Sequence, residues 1–166
     1  MFGQRQFIWM LRNDEDGTSL FEAALTLPIL ILLSLGAMEF AWVFQNQQLV
    51  ETGVRDAARY LARTTGGQSD QNPCSNTTQV GYAQNIAVYG KTTSGTPRVS
   101  GWSAGNVVVS CPSFGNSGGT YAGATTQYKV QVTTSFPDPA LGLLKALGNW
   151  TPYLSATHVE RSIGPG

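Results

Sequence analysis

From Leu20 to Phe44 the chain is apolar on every side, and no charged residue stands between Glu22 and Glu39. At about 1.5 Å per residue, a helix needs roughly 20 apolar residues to cross a hydrocarbon core about 30 Å thick, so this run predicts one membrane span. The uncharged piece alone covers about 24 Å, which places Glu22 and Glu39 near opposite margins of the hydrocarbon. Pro28 lacks an N–H and its ring crowds the preceding turn, so a helix kink is expected over residues 24–28, eased where neighbouring helices compensate. Ser34, Gly36 and Ala37 offer a small-residue surface to a neighbouring helix, although a lipid-facing placement explains them equally well. Beyond Phe44 the apolar positions narrow to a stripe, Val50, Val54, Ala57, Ala58 and Leu61, with Gln47, Glu51, Arg55 and Arg59 on other faces. That spacing predicts that the same helix continues out of the membrane and packs one face on a soluble domain. Thr64-Thr65-Gly66-Gly67 ends it, because glycine takes the left-handed C-terminal position readily.

Further along, Val80, Ala83, Ile86 and Ala87 have helical spacing and predict a short second helix over 78–89. The run 107–111 predicts a strand, as does the alternation of Tyr128, Val130, Val132, Thr134 and Phe136 with polar residues, which Pro137 and Pro139 stop. Residues 140–147 suggest a helical turn, and 153–161 a third strand. The predicted fold class is α+β, a long N-terminal helix with a membrane half and an amphipathic half followed by a small antiparallel sheet domain. The predicted boundaries are 1–17 for a leader, 18–65 for the long helix and 66–166 for a small periplasmic domain.

Composition changes this picture in two ways. A net charge of zero with 12% charged residues leaves no broad basic surface, which argues against nucleic acid as a partner. Nineteen glycines and two cysteines in 166 residues suit a loop-rich domain outside the cytoplasm. There Cys74 and Cys111 are expected to form a disulfide, the alternative being two separate buried thiols. With His158 they are too few for a zinc site, so no metal and no cofactor are expected. Arg55, Arg59 and Arg63 beyond the span outnumber Arg5 and Arg12 before it, so positive charge does not orient the helix. The cysteines do, placing the C-terminal domain outside and the leader inside.

Glu22 is the residue that needs a partner, because a carboxylate well inside a membrane helix costs about 2.5 kcal/mol or more. A cut after Gly17 would supply one: the new amine on Thr18 would lie one turn before Glu22, on the same helix face, and the amine of a neighbouring subunit could serve equally. Gly17, then Thr18-Ser19-Leu20-Phe21, then Glu22, resembles a type IV prepilin processing site. The stretch from Glu22 to Arg63 is similar to the TadE-like family of minor pilins or pseudopilins of tight-adherence (Flp) pilus systems, in which a glycine, a glutamate, a helix proline and an Ala-Ala-Arg run recur in this order, here Gly17, Glu22, Pro28 and Ala57-Ala58-Arg59. Ala23 stands where the main pilins of such systems carry tyrosine, which points to a minor subunit. The leader departs from the pattern, with acidic residues at 14–16 where basic ones are commoner.

The resemblance implies a prepilin with no enzymatic activity, cut between Gly17 and Thr18 by a prepilin peptidase. Its partners would be other pilin or pseudopilin subunits, the inner-membrane assembly platform and the lipid bilayer, and its place the inner membrane or an extracellular pilus. Three alternatives stand beside it: an ordinary signal peptide cut near Ala37, a type II secretion pseudopilin, and a membrane-anchored adhesin whose loops around Trp102 and Tyr121 touch a surface. Gly115-Asn116-Ser117-Gly118-Gly119 fits G-x-S-x-G, with Asp138 and His158 following in hydrolase order, but glycine-rich loop on both sides is the wrong setting for a nucleophile elbow. Asn76-Thr77-Thr78 and Asn149-Trp150-Thr151 match a glycosylation pattern and read as loop residues.

Overall fold

The computed structural model describes residues 16–64, 72–115, 117–118, 126–138, 148 and 151–162. The chain divides into two units, Met1–Phe40 and Ala41–Gly166. The first helix, α1 (Asp16–Thr64), contributes to both and contains Pro28. In the first unit residues 17–38 are exposed on all sides apart from a half-buried Gly36, whereas Glu39 is only 2% exposed.

The second unit is built on the amphipathic part of α1. Val50, Val54, Ala57, Ala58 and Leu61 are fully buried, as their spacing predicts, and join one core with residues of the sheet. A second helix, α2 (Thr77–Tyr89), starts where the Asn76 side chain accepts from the N–H groups of Thr78 and Gln79. It stops at Gly90, whose positive φ of 71° lets its N–H reach back to the Ile86 carbonyl. The cores of α1 and α2 are lined by small residues, Gly53 and Ala57 on one and Ala83 and Ala87 on the other, which permits close approach of the helices.

Four strands follow: β1 (Val107–Ser110), β2 (Ser113–Gly115), β3 (Thr126–Pro137) and β4 (Tyr153–Arg161), all antiparallel to their neighbours with β3 in the middle. β1 and β2 are two pieces of one strand along the same edge of β3. Ser110 stands opposite Gln131 and Ser113 opposite Tyr128, and between them the Lys129 N–H donates to the Pro112 carbonyl at 2.9 Å, so the register is unbroken. Proline at 112 keeps its carbonyl in the ladder while having no N–H to give, which interrupts the strand after Ser110 instead of after Cys111 as the apolar run suggests. The short β2 was not legible as a strand. The helical turn expected over 140–147 lies outside the described residues.

The inward face of β3, Val130, Val132, Thr134 and Phe136, is buried, and Leu154 of β4 completes it. Trp102 lies in this core, 2% exposed, stacked on Phe136 with ring centroids 5.6 Å apart. Its indole N–H donates to the Thr134 hydroxyl at 3.0 Å, and that hydroxyl donates to the Asn106 carbonyl at 2.9 Å. The expectation of Trp102 as a surface contact is thereby corrected: an indole with both a stacking partner and an N–H acceptor inside is worth more buried than exposed. Both sheet edges are blunted by helix glutamines. Gln47 of α1 donates to the Ser155 carbonyl at 2.8 Å and Gln84 of α2 to the Val107 carbonyl at 2.9 Å.

Candidate functional site

The feature that no ordinary water-soluble fold would leave uncovered is the first part of α1. From Leu20 to Leu35 every large apolar side chain is exposed by between 47% and 74%, and the helix is long and apolar enough to cross a membrane. Covering one such side chain contributes about 1.5–3 kcal/mol, so the run as a whole requires lipid or other helices around it. Its polar side chains are arranged for such surroundings. The Thr26 hydroxyl donates to the Glu22 carbonyl at 2.9 Å and the Ser34 hydroxyl to the Leu30 carbonyl at 2.8 Å, so each donor is satisfied within the helix itself.

Glu22 differs from these two. It is exposed on the apolar run, four residues after Thr18 on the same helical face, and among the described residues it makes no ion pair. Gly17, Thr18, Glu22 and Pro28 all lie in this one segment of α1. At Gly17 there is open space where a Cβ would stand, so its small size is not demanded by packing inside the chain.

The second group of expected residues lies in the sheet unit. Cys74 and Cys111 form a disulfide, with an S–S length of 2.02 Å and Cα atoms 5.8 Å apart. Cys74 sits in a 3-10 turn, Pro73–Ser75, held by the Asn72 side chain accepting from the Cys74 N–H at 2.9 Å. Cys111 sits at the interruption between β1 and β2, so the bridge ties the entry of α2 to the weakest point of the sheet edge.

The hydrolase-like residues are not brought together. Asp138 is 1% exposed and accepts from the Asn46 amide of α1 at 3.3 Å, whereas His158 pairs with Glu160 at 3.1 Å, opposite Val132 on β3. Ser117 is exposed in its loop. Among the described residues no three His, Cys, Asp or Glu side chains gather as a metal site. Burial raises the Asp138 carboxyl above the usual aspartate range, an effect the Asn46 hydrogen bond partly offsets, and its second oxygen has no partner among the described residues. Burial also raises the Tyr60 phenol, with Tyr82 adding to it, while Tyr60 donates to Gln79 at 2.7 Å.

Sequence reasoning missed three contacts: the Asn46–Asp138 bond, the Asp56–Arg98 ion pair at 2.9 Å, and the tight passage at Gly53. Only the first left a trace, since Asn46 is a polar residue one turn before Val50 on the core stripe.

No curated protein and no solved structure matches the chain. Residues 17–59, from the glycine ahead of the exposed apolar run to the arginine of its Ala-Ala-Arg run, match the family model described as TadE-like protein, so this stretch is similar to that family.

Proposed function

We propose that the chain is a TadE-like prepilin, a minor pilin or pseudopilin subunit that acts in assembling a tight-adherence pilus. The single observation that carries the reading is that the TadE-like match falls on the helix whose apolar side chains are left exposed and which bears an exposed Glu22. In this reading a prepilin peptidase cuts between Gly17 and Thr18. The mature subunit waits in the inner membrane with its disulfide-bonded domain on the periplasmic side, and the apolar helix later exchanges lipid for the helices of neighbouring subunits and the assembly platform. The chain is then substrate and structural part, with no chemistry of its own.

The cut changes the electrostatics at Glu22. A new ammonium at Thr18 stands one turn away, and the positive end of the shortened helix adds about half an elementary charge at the same place. Both attract the Glu22 side chain, and each helix that enters a bundle carries the same pair at the same height. The decisive experiment is the mass of the mature protein recovered from membranes. A chain starting at Thr18 supports the reading; a start near Ala37 would make the segment a secretory signal, and an intact Met1 would make it a plain anchor.

A further inference from the structure

We infer that the cleft between the C-terminal ends of α1 and α2 is a docking site for an acidic segment of a partner protein, one that presents two carboxylates. The cleft is a shallow, open one of about 580 Å³ and brings together Arg59 and Arg63 of α1 with Lys91 and Arg98 from the chain after α2, with Ile86 and Tyr60 also in its lining. Arg98 is occupied, since it donates to Asp56 at 2.9 Å and more distantly to the Ile86 carbonyl. Arg59, Arg63 and Lys91 are exposed and make no ion pair among the described residues.

A charge count sets what the cleft takes. Both helices end here, α1 at Thr64 and α2 at Gly90, and each C-terminus contributes about half a negative charge. Among the described residues, three cations without an ion pair against about one unit of negative charge leave about two positive charges uncompensated. Arg59 and Arg63 also stand four apart on one helical face, where like charges oppose each other. Guanidinium groups in this arrangement fit planar carboxylates bidentately, which a lysine pair would not do.

The occupant is neither lipid nor a second copy. Arg59 and Arg63 lie 15 and 19 residues beyond Phe44, roughly 22 and 28 Å along the helix axis from the end of the apolar run. That exceeds two Debye lengths at physiological ionic strength, about 8 Å each, so headgroups ringing the apolar run are out of reach. Among the described residues of the second unit, a second copy offers no free pair of carboxylates: Asp56 and Glu160 are already paired, Asp138 is buried, and Glu51 accepts from Gln47.

The test uses the purified full chain in neutral detergent micelles with a fluorescent hexaglutamate peptide, read by anisotropy. Hexaglutamate should bind, hexaglutamine should not, and binding should weaken at least about fivefold in Arg59→Ala/Arg63→Ala. Lys129→Ala/Arg161→Ala, at the cation pair around Phe114 elsewhere in the domain, should leave it unchanged. Arg59→Glu/Arg63→Glu should turn the preference to hexalysine, a gain that misfolding cannot produce. Unchanged hexaglutamate binding by the double alanine variant, loss with the Lys129 and Arg161 variant, or displacement of the peptide by phosphatidylglycerol added to the micelles would each overturn the assignment. The measurement needs no pilus, so it stands or falls apart from the proposed role in assembly.

Discussion

Gly53 sits in the middle of α1, where glycine ordinarily costs a helix about 1 kcal/mol relative to alanine. Replacing it by alanine should nevertheless destabilise the sheet unit. A Cβ built there would lie 2.3 Å from the Ala87 carbonyl oxygen of α2 and 2.8 Å from the ring of Trp102. The carbonyl is backbone within a helix and cannot rotate aside, and Trp102 is pinned by Phe136 and by its bond to Thr134, so the two helices must part. Overpacking of this kind costs about 1–3 kcal/mol, and a contact with fixed backbone on one side and a stacked indole on the other belongs at the upper end. Subtracting the propensity gain leaves a net loss of about 2 kcal/mol, or roughly 6–12 °C in Tm for a unit of this size. The assay is a thermal melt of the full chain in detergent, followed by near-ultraviolet circular dichroism, which reports the packing of Trp102. Gly36→Ala is the matched control, because nothing lies within 4 Å of its Cβ position. A Gly53→Ala melt indistinguishable from the wild type, or the same drop for Gly36→Ala, would refute the close-crossing explanation.

Removing the disulfide by Cys74→Ser/Cys111→Ser frees a connection of 37 residues, which the chain-entropy model values at about 4 kcal/mol, so the denaturation midpoint should fall and should no longer respond to reductant. Asp138 titrates with a defined sign: its folded carboxyl holds a proton to higher pH than the unfolded chain does, so its contribution to stability is complete below about pH 4 and is lost as the pH rises through the raised value. Asp138→Asn should remove that decline, and parallel stability curves for the two proteins above about pH 4 would contradict it. Glu22→Ala should leave membrane insertion intact, because it removes a charge from an apolar run, while impairing incorporation into pili; normal piliation of a strain carrying only that variant would count against the pairing of Glu22 with an amine.

The parts of this fold that were legible in the chain are those whose cause is local. The core stripe of α1 and the alternation along β3 are periodic, and period is set by the geometry of one element, so Val50 to Leu61 and Val130 to Phe136 could be assigned to a buried face before any partner was known. What stayed hidden depends on a second segment far along the chain. Gly53 reads as a tolerated defect until Ala87 is seen against it. Three residues of β2, one of them glycine, carry no signal by themselves and become a strand only because they continue the register of β1 against β3. Trp102 sits between glycine- and serine-rich stretches that read as surface loop, yet the chain turns there through Gly101, at a φ of 80°, and lays the indole on Phe136. Composition described the path of that loop and said nothing of the direction of its one large side chain.

The change in character along α1 also bears on the proposed cut after Gly17. Residues 18–38 are exposed apart from the half-buried Gly36, and the first buried residue is Glu39. Those 21 residues rise about 31 Å, close to the hydrocarbon thickness of a bilayer, about 30 Å. A helix beginning at Thr18 would therefore bring its amine to one margin of the membrane just as its buried face begins at the other. Glu22 would then lie about 6 Å inside the first margin, close enough for its carboxylate to meet that amine, and deep enough that an acidic side chain there calls for a partner. A cut several residues earlier would leave Asp14, Glu15 and Asp16 to accompany Glu22 into the apolar surroundings, and one several residues later would remove Glu22 itself. Gly17 is the position at which the length of the apolar run and the pairing of its one exposed acid are satisfied together.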